Sequence, residues 1–330
     1  MTLPVRRPGP SGPPCGRTAR CAAALLLTGV SLVLGFRAAG ADGVTPVPQA
    51  LAFLPWLLLP GAAGLGLAAL ARWRGGLVWA VVALALTVWF VRPYGPAGTG
   101  AHGAVVARLR VLTSNVEFGA ATDALIATVR RERPDVVFVQ ECDLRCADAL
   151  AARVPAASYP YRDVVRLDGS LGSAILSSFP LRPAGRIDGE MAMPGSVARV
   201  AGRAVRLQLA HPMPPVPGGV GTWRRELGRI RDLAAAARAE RTVVAGDFNA
   251  SQDHAAFRAV LDAGGLHDSA RLAGASRTYS WPADRTTPLR TQIDHVLVSD
   301  DFSVRAVRFL RLPATDHRAL LVDLELRGGR

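Results

Sequence analysis

The chain has 330 residues, 39 basic and 26 acidic side chains, a formal charge of +13 and no lysine. Taking the eight arginines and single acid, Asp42, of residues 1–100 from those totals leaves about +6 for the remainder, so the basic excess is partly a property of the N-terminal third. A lysine-free composition rich in Ala, Gly, Pro and Arg reflects codon usage, and a remainder of modest charge without an aromatic–basic array argues against extended nucleic-acid binding.

Residues 1–20 read as a basic cytoplasmic tail with Arg6, Arg7, Arg17 and Arg20. The region 21–92 reads as transmembrane, with about three helices in the uncharged apolar stretches 21–36, 51–70 and 75–91. The last two have spanning length. The first also resembles a signal segment, because it follows arginines and precedes Ala39-Gly40-Ala41. Arg72 and Arg74 lie between the second and third stretches, so the positive-inside rule puts both arginine groups in the cytoplasm and everything after Arg92 outside. Residues 93–107 are Pro- and Gly-rich and read as a linker.

From residue 108 to 330 strands and helices alternate. Strands are expected at 110–116, 135–140, 173–177, 197–200, 204–210, 242–246, 292–298, 304–310 and 319–326. Helices are expected at 122–133, with Thr122 as its cap, at 222–239 and at 255–263. Many strands with few helices predict an α/β domain of two packed sheets with helices outside. Cys142 and Cys146 are four apart after a strand; they suit a disulfide or inert thiols better than a zinc site, which needs more ligands. Cys15 and Cys21 flank the first apolar stretch and read as incidental.

Polar residues recur at the strand ends. Asn115 closes the first strand, Glu141 follows Val136-Val137-Phe138-Val139-Gln140, and His211 follows a strand ending at Ala210. Asp247 and Asn249 stand two apart in Gly246-Asp247-Phe248-Asn249, on one side of their strand. Asp294 lies in Ile293-Asp294-His295, and Asp316-His317 precedes the last strand. Charged groups against buried strands are costly unless paired or metal-bound, so several of them point to one shared site.

Thr113-Ser114-Asn115, Val139-Gln140-Glu141, Gly246-Asp247-Phe248-Asn249, Ile293-Asp294-His295 and Thr315-Asp316-His317 together resemble the ordered signature of the endonuclease/exonuclease/phosphatase superfamily. With the apolar N-terminal region, the chain is similar to its membrane-anchored bacterial branch of teicoplanin- or vancomycin-resistance type. The resemblance implies a DNase I-like four-layer α-β-β-α sandwich and metal-assisted hydrolysis of a phosphate ester or anhydride. It assigns a Mg²⁺ or Mn²⁺ ion to Glu141, Asn115 and Asp316. Asp247 would orient or deprotonate water, and Asn249 would hold water or phosphate. His317 and His211 would donate to phosphate oxygens, with Asp294 paired to His317. Ser173 is a secondary candidate beside the phosphate, and Arg199 is either a phosphate contact or, at least as readily, a solvated strand arginine. His295 points away from Asp294 and reads as packing, as do Trp223, Trp281 and Tyr279.

The expected partner is a phosphate-bearing substrate, membrane lipid-linked by reason of location. An extracytoplasmic nuclease or other phosphodiesterase is the alternative enzyme, and a catalytically silent membrane-bound binding protein in antibiotic response is the alternative of another class. The retention of Glu141, Asp247, Asn249 and His317 argues against silence.

Overall fold

The structure is a computed structural model that describes residues 14–284 and 287–329. Most of the expected basic tail, with Arg6 and Arg7, lies outside the described residues. The chain forms two compact units, one of Met1–Ala39 and Leu54–Arg92, the other of Gly40–Phe53 and Pro93–Arg330.

Four helices precede the first strand: α1 (Pro14–Ala38), α2 (Val47–Ala52), α3 (Leu58–Leu70) and α4 (Arg74–Val91). In the helical unit, α1 and α4 are long and apolar enough to cross a membrane. The expected spanning helix at 51–70 differs. The chain turns after Ala52, forms a 3-10 turn at Leu54–Leu57, and α3 holds 13 residues. With the 3-10 turn that runs straight into it, the apolar helix Leu54–Leu70 spans about 27 Å against a hydrocarbon core of about 30 Å. Pro55 and Pro60 lack the N–H groups an uninterrupted helix needs, a cost that apolar composition does not register. The helices approach closely through small residues: a Cβ on Gly64 would collide with Leu27 of α1, and one on Gly61 with Leu84 of α4.

The second unit is a sandwich. Its strands are β1 (Val105–Asn115), β2 (Val136–Gln140), β3 (Tyr161–Val165), β4 (Ser173–Ser177), β5 (Leu181–Ile187), β6 (Met193–Val200), β7 (Arg203–Ala210), β8 (Thr242–Asp247), β9 (His267–Asp268), β10 (Asp294–Val298), β11 (Phe302–Arg311) and β12 (Arg318–Arg327). They form two six-stranded sheets, β11-β12-β1-β2-β4-β3 and β5-β6-β7-β8-β10-β9. The remaining helices are α5 (Thr122–Glu132), α6 (Leu144–Arg153), α7 (Val220–Ala236), α8 (Ala255–Gly264) and α9 (Ser269–Leu272). One apolar core, with Val111, Phe138, Leu207, Val243 and Val322, fills the space between the sheets. A second joins the first sheet to α5 and α6, and a third joins the other sheet to α7 and α8. The expected four-layer order is therefore present. Thr122 does not cap α5: the cap position is Ala121, and the Thr122 hydroxyl donates to Gly119 O at 2.6 Å.

Each sheet holds one parallel pair, β1 with β2 and β7 with β8, crossed over by α5 and α7. Ligands in open α/β sheets gather outside the carboxyl ends of parallel strands, and here two such ends come from two facing sheets. Cys142 and Cys146 form a disulfide at the start of α6.

The second unit also takes in Gly40–Phe53. Asp42, fully buried, accepts from Ala256 N at 2.8 Å in the first turn of α8 and pairs with Arg224 Nε of α7 at 3.3 Å. The His254 ring lies 2.8 Å from Pro48 O, and the Gln49 amide donates to Pro215 O. The Phe53 ring lies 6.5 Å from Trp281. This segment belongs to the folded sandwich, not to the apolar region in which the sequence reading had included it.

Candidate active site

The strand ends bring the expected residues together. Asn115 ends β1, Glu141 follows β2, His211 follows β7 and Asp247 ends β8. Strands β10 and β12 run antiparallel to β8 and β1, so Asp294 and His317 join the same end from the starts of their strands. Asp294 lies opposite Asp247 in the β8–β10 register. Gly246, at φ 155°, makes the β8 exit possible, since a Cβ there would strike the Ala210 carbonyl of β7.

Asn115 is the hub between the sheets. Its Nδ2 donates to Glu141 Oε1 at 3.0 Å and to Asp247 Oδ2 at 3.3 Å. The other Glu141 oxygen accepts from Phe118 N at 3.0 Å. Glu141 itself has φ 56°, an uncommon conformation for a residue with a Cβ. His317 Nδ1 sits 2.9 Å from Asp294 Oδ2. Its Nε2 makes no hydrogen bond among the described residues and faces Asp247 Oδ2 at 3.7 Å and Asp316 Oδ1 at 3.6 Å. Asp247 Oδ1 accepts from Asn249 N at 2.8 Å, and Asn249 Nδ2 donates to Pro212 O at 2.9 Å, tying the β8 exit to the loop after His211. Trp223 supports that corner by donating to Asn249 O at 3.1 Å.

Burial and charge set the protonation states. Burial alone would lower the His317 pKa, but the Asp294 and Asp247 carboxylates prevail and raise it to about 10. His211 has no such support: burial, with the repulsion of His317, lowers it to about 3, so it is neutral. Its Nδ1 has no hydrogen-bond partner, and its Nε2 lies 3.8 Å from Glu141 Oε1. Burial first, and then the Asp294 carboxylate, push the Asp247 carboxyl above its ordinary range against the pull of His317.

These donors fit a hard divalent cation. Glu141, Asp247 and Asp316 offer oxygen; Asn115 would have to turn its amide to do so, since Nδ2 faces the carboxylates and Oδ1 accepts from Glu117 N. Among the described residues Asp294 Oδ1 is buried without a hydrogen bond, and a cation would relieve the repulsion between the facing Asp247 and Asp294. Asp247, Asp294 and His317 form a group that could itself hold an ion, with ligand atoms within 4.8 Å of one another. Asp316 stands at the rim, its Oδ2 accepting from Trp281 Nε1 at 2.7 Å.

Two secondary candidates fare differently. Ser173 begins β4 opposite Gln140, beside Glu141, but its hydroxyl donates to Ala192 O at 2.7 Å. Arg199 is not brought in. It is exposed near the β6–β7 turn and donates to Gly202 O at 3.0 Å. Its register partner is Ala204, at the opposite end of β7 from Ala210, roughly 20 Å of strand away. His295 is buried as expected, against Asp268 and Ala250 O.

The sequence reading missed Glu117, whose carboxylate accepts from Asp316 N at 2.8 Å while its own N–H donates to Asn115 Oδ1 at 3.0 Å. It also missed Ser280, whose hydroxyl accepts from the N–H groups of Ile293 and Asp294, both at 3.0 Å. Glu117 stands two residues after Asn115, a spacing that could have flagged it; Ser280 carries no such signal. Beside the site, Glu117, Phe118, Asp143, Arg145, Asp284 and Asp316 are among the residues lining a cleft of about 880 Å³.

The family model described as the endonuclease/exonuclease/phosphatase family matches residues 112–317, more than half of the chain. None of the curated proteins matches it in sequence. Solved structures similar in fold include a humanized TDP2 from D. rerio, at 18% identity and TM-score 0.54, covering 66% of this chain and 98% of that one. An endonuclease/exonuclease/phosphatase from Beutenbergia cavernae is 19% identical, with TM-score 0.53 and coverage of 67% and 72%. A mannosyl-6-phosphatase from Bacteroides thetaiotaomicron is 18% identical, with TM-score 0.51 and coverage of 66% and 99%. These likenesses concern the fold. The chain belongs to the endonuclease/exonuclease/phosphatase family.

Proposed function

We propose that this family member is a membrane-anchored, divalent-metal-dependent phosphohydrolase that acts outside the cytoplasmic membrane on a lipid-linked phosphate or pyrophosphate, such as a cell-wall carrier lipid. The observation that carries the hydrolase reading is the convergence of Asn115, Glu141, Asp247, Asp294 and His317 at one end of two facing sheets. Membership of the antibiotic-resistance branch rests on motif resemblance and the apolar helices, and is part of the proposal.

Each residue has a role that its contacts support. Asp294 holds Nδ1–H of a cationic His317, leaving Nε2–H free to meet a phosphoryl oxygen where negative charge develops. Asp247, with its raised pKa and its Oδ1 anchored by Asn249 N, orients the attacking water and takes its proton near neutral pH. Neutral His211 can donate to the phosphate without adding charge beside His317. Asn249 positions the corner through Pro212. Glu141 and Asn115 would hold Mg²⁺ or Mn²⁺ with Asp316 at the rim, and the bound ion supplies Lewis-acid polarisation of a phosphoryl oxygen. Ser173, its hydroxyl engaged by Ala192, would border the site.

Chain connectivity supports the anchoring. Gly40–Phe53 and Pro93–Arg330 share one unit, so in this proposal the apolar helix Leu54–Leu70 and α4 would cross the bilayer in opposite directions and bring the chain back to the same side. That agrees with the arginine pattern, in which residues before α1 and between α3 and α4 stay inside. The cleft carries Glu117, Asp123, Asp143, Asp284 and Asp316 against Arg145, a wall that disfavours a nucleic-acid strand.

The test is phosphate release by the purified full-length protein with Mg²⁺ or chelator. A polyprenyl pyrophosphate, its monophosphate and single-stranded DNA serve as substrates, and Asp247→Ala as control. Metal-dependent release from the lipids, lost in Asp247→Ala, is expected. Equal background in every sample would sink the reading, and shortening of the DNA strands, with no phosphate released from the lipids, would move it to a nuclease.

A further inference from the structure

Beyond the hydrolytic centre, three guanidinium groups gather on one phenol. Arg290 Nη1 donates to Tyr279 Oη at 2.8 Å, Arg311 Nη2 at 3.0 Å, and Arg318 Nη2 donates to the same oxygen. Arg318 also lies 3.7 Å from the Tyr279 ring centroid and Arg290 4.6 Å. Tyr279 Oη has two lone pairs, so three donors oversubscribe it. Among the described residues no ion pair involves Arg311 or Arg318, and Arg318 Nε is buried without a hydrogen bond. Ring stacking explains the positions of Arg290 and Arg318. It does not explain why exposed Arg311 turns toward two like charges, which repel it. The same arginines, the Arg311 hydrogen bond first, hold the Tyr279 phenol below its ordinary range.

The cluster adjoins the active site through the backbone. Arg311 and Arg318 are register partners at the end of the β11–β12 hairpin, and Arg318 directly follows His317. Ser280, next to Tyr279, accepts Arg318 N through its carbonyl and Asp294 N through its hydroxyl. Trp281 follows, holding Asp316 and facing Phe53, the last residue before the chain enters the helical unit.

We propose that Tyr279, Arg290, Arg311 and Arg318 form a phosphate-binding subsite outside the hydrolytic centre. A phosphate group offers the several acceptor oxygens that a single phenol lacks, in the geometry that guanidinium forks match. The inference deepens the phosphohydrolase reading and rests on it for the subsite's purpose. The ligand is either a second phosphoryl group of the substrate or the phosphate head group of a lipid at the bilayer edge.

Binding, measured in the absence of metal and hydrolysis, separates this proposal from the catalytic one. Full-length protein in neutral detergent with chelator, as wild type and in a His317→Ala background that removes the hydrolytic centre's own cation, is titrated calorimetrically with methylenediphosphonate. A parallel arm uses short-chain phosphatidylglycerol. Arg311→Gln, an exposed change, should weaken at least one probe about tenfold in both backgrounds, and Tyr279→Phe should weaken the same probe less, while Arg311→Lys keeps most of the binding. An effect on the diphosphonate assigns the subsite to the substrate, and an effect on phosphatidylglycerol assigns it to the bilayer. Equal affinity of wild type and Arg311→Gln for both probes would overturn the subsite, whatever the hydrolysis assay shows.

Discussion

Two histidine–aspartate pairs meet neighbouring residues of β10, and they differ in what they leave open. His295 pairs with Asp268 at 2.8 Å through Nδ1, and its Nε2 lies 3.0 Å from Ala250 O. It is packed between Phe248 and Phe257. His317 pairs with Asp294 at a similar 2.9 Å, yet its Nε2 makes no hydrogen bond among the described residues, and Asp294 Oδ1 is buried without one. The first pair spends both ring nitrogens on the fold. The second keeps one nitrogen facing a ring of carboxylates. Buried polar groups are normally satisfied, and the unsatisfied ones at the strand ends are where the proposed function places its substrate and ion.

Removing metal should separate the pairs most sharply. Chelation is expected to drop phosphate release to background while the thermal midpoint, set in part by the closed pair, moves far less; equal loss of both would erase the distinction. Next in size is His295→Ala, which strips a buried ring and leaves Asp268 without it, at about 3 kcal/mol in denaturant unfolding. Its activity per folded molecule should stay near wild type.

The pH dependence of metal-free protein should show the active-site histidines pulling in opposite directions. His211, lowered to about 3 in the fold, binds a proton more readily when unfolded, so its contribution is full above the unfolded value of about 6.5 and fades as pH falls. That contribution alone amounts to about 3 kcal/mol lost by pH 4; the raised Asp247 carboxyl opposes it over the same range, so the difference between wild type and His211→Asn isolates it. His317, raised to about 10, contributes stability below about 6.5 that is lost as pH rises through 10. Equal stability of wild type and His211→Asn at about pH 4 would contradict the first assignment, and a wild-type stability that stays flat from about pH 6.5 to 10 would contradict the second. The smallest effect is expected from Asp42→Ala. It removes an acceptor at the start of α8 and the pair with half-exposed Arg224, and should lower stability by about 1 kcal/mol without changing turnover.

The sandwich was legible because its strands are dense apolar runs that stop at a polar residue, as at Gln140-Glu141 and Gly246-Asp247, and because each stop fell within a recognisable motif. Strand direction was not legible in the same way. Arg199 fitted a phosphate contact or a solvated strand arginine equally well, and only the sheet register shows that β6 carries it away from the strand ends. The segment Gly40–Phe53 was hidden by composition, since Pro, Gly and Ala around a lone acid look like a connection between apolar helices. Asp42, the single acid of the first hundred residues and fully buried, was the trace it left. Length misled at 51–70, where the chain turns at Phe53 and Pro55 opens a 3-10 turn that leads into α3, so the apolar helix is shorter than the apolar run. Glu117 went unnoticed because its role depends on Asp316, 199 residues away.

The open His317 pair is the centre of the account, and its most direct test is turnover per folded molecule. Full-length wild type, His317→Ala and His295→Ala would be compared on a polyprenyl pyrophosphate in Mg²⁺, with the folded fraction measured on the same samples. His317→Ala should fall about a thousandfold while staying folded, and His295→Ala should keep its rate once corrected for folding. A His317→Ala protein that turns over at a wild-type rate would contradict the account.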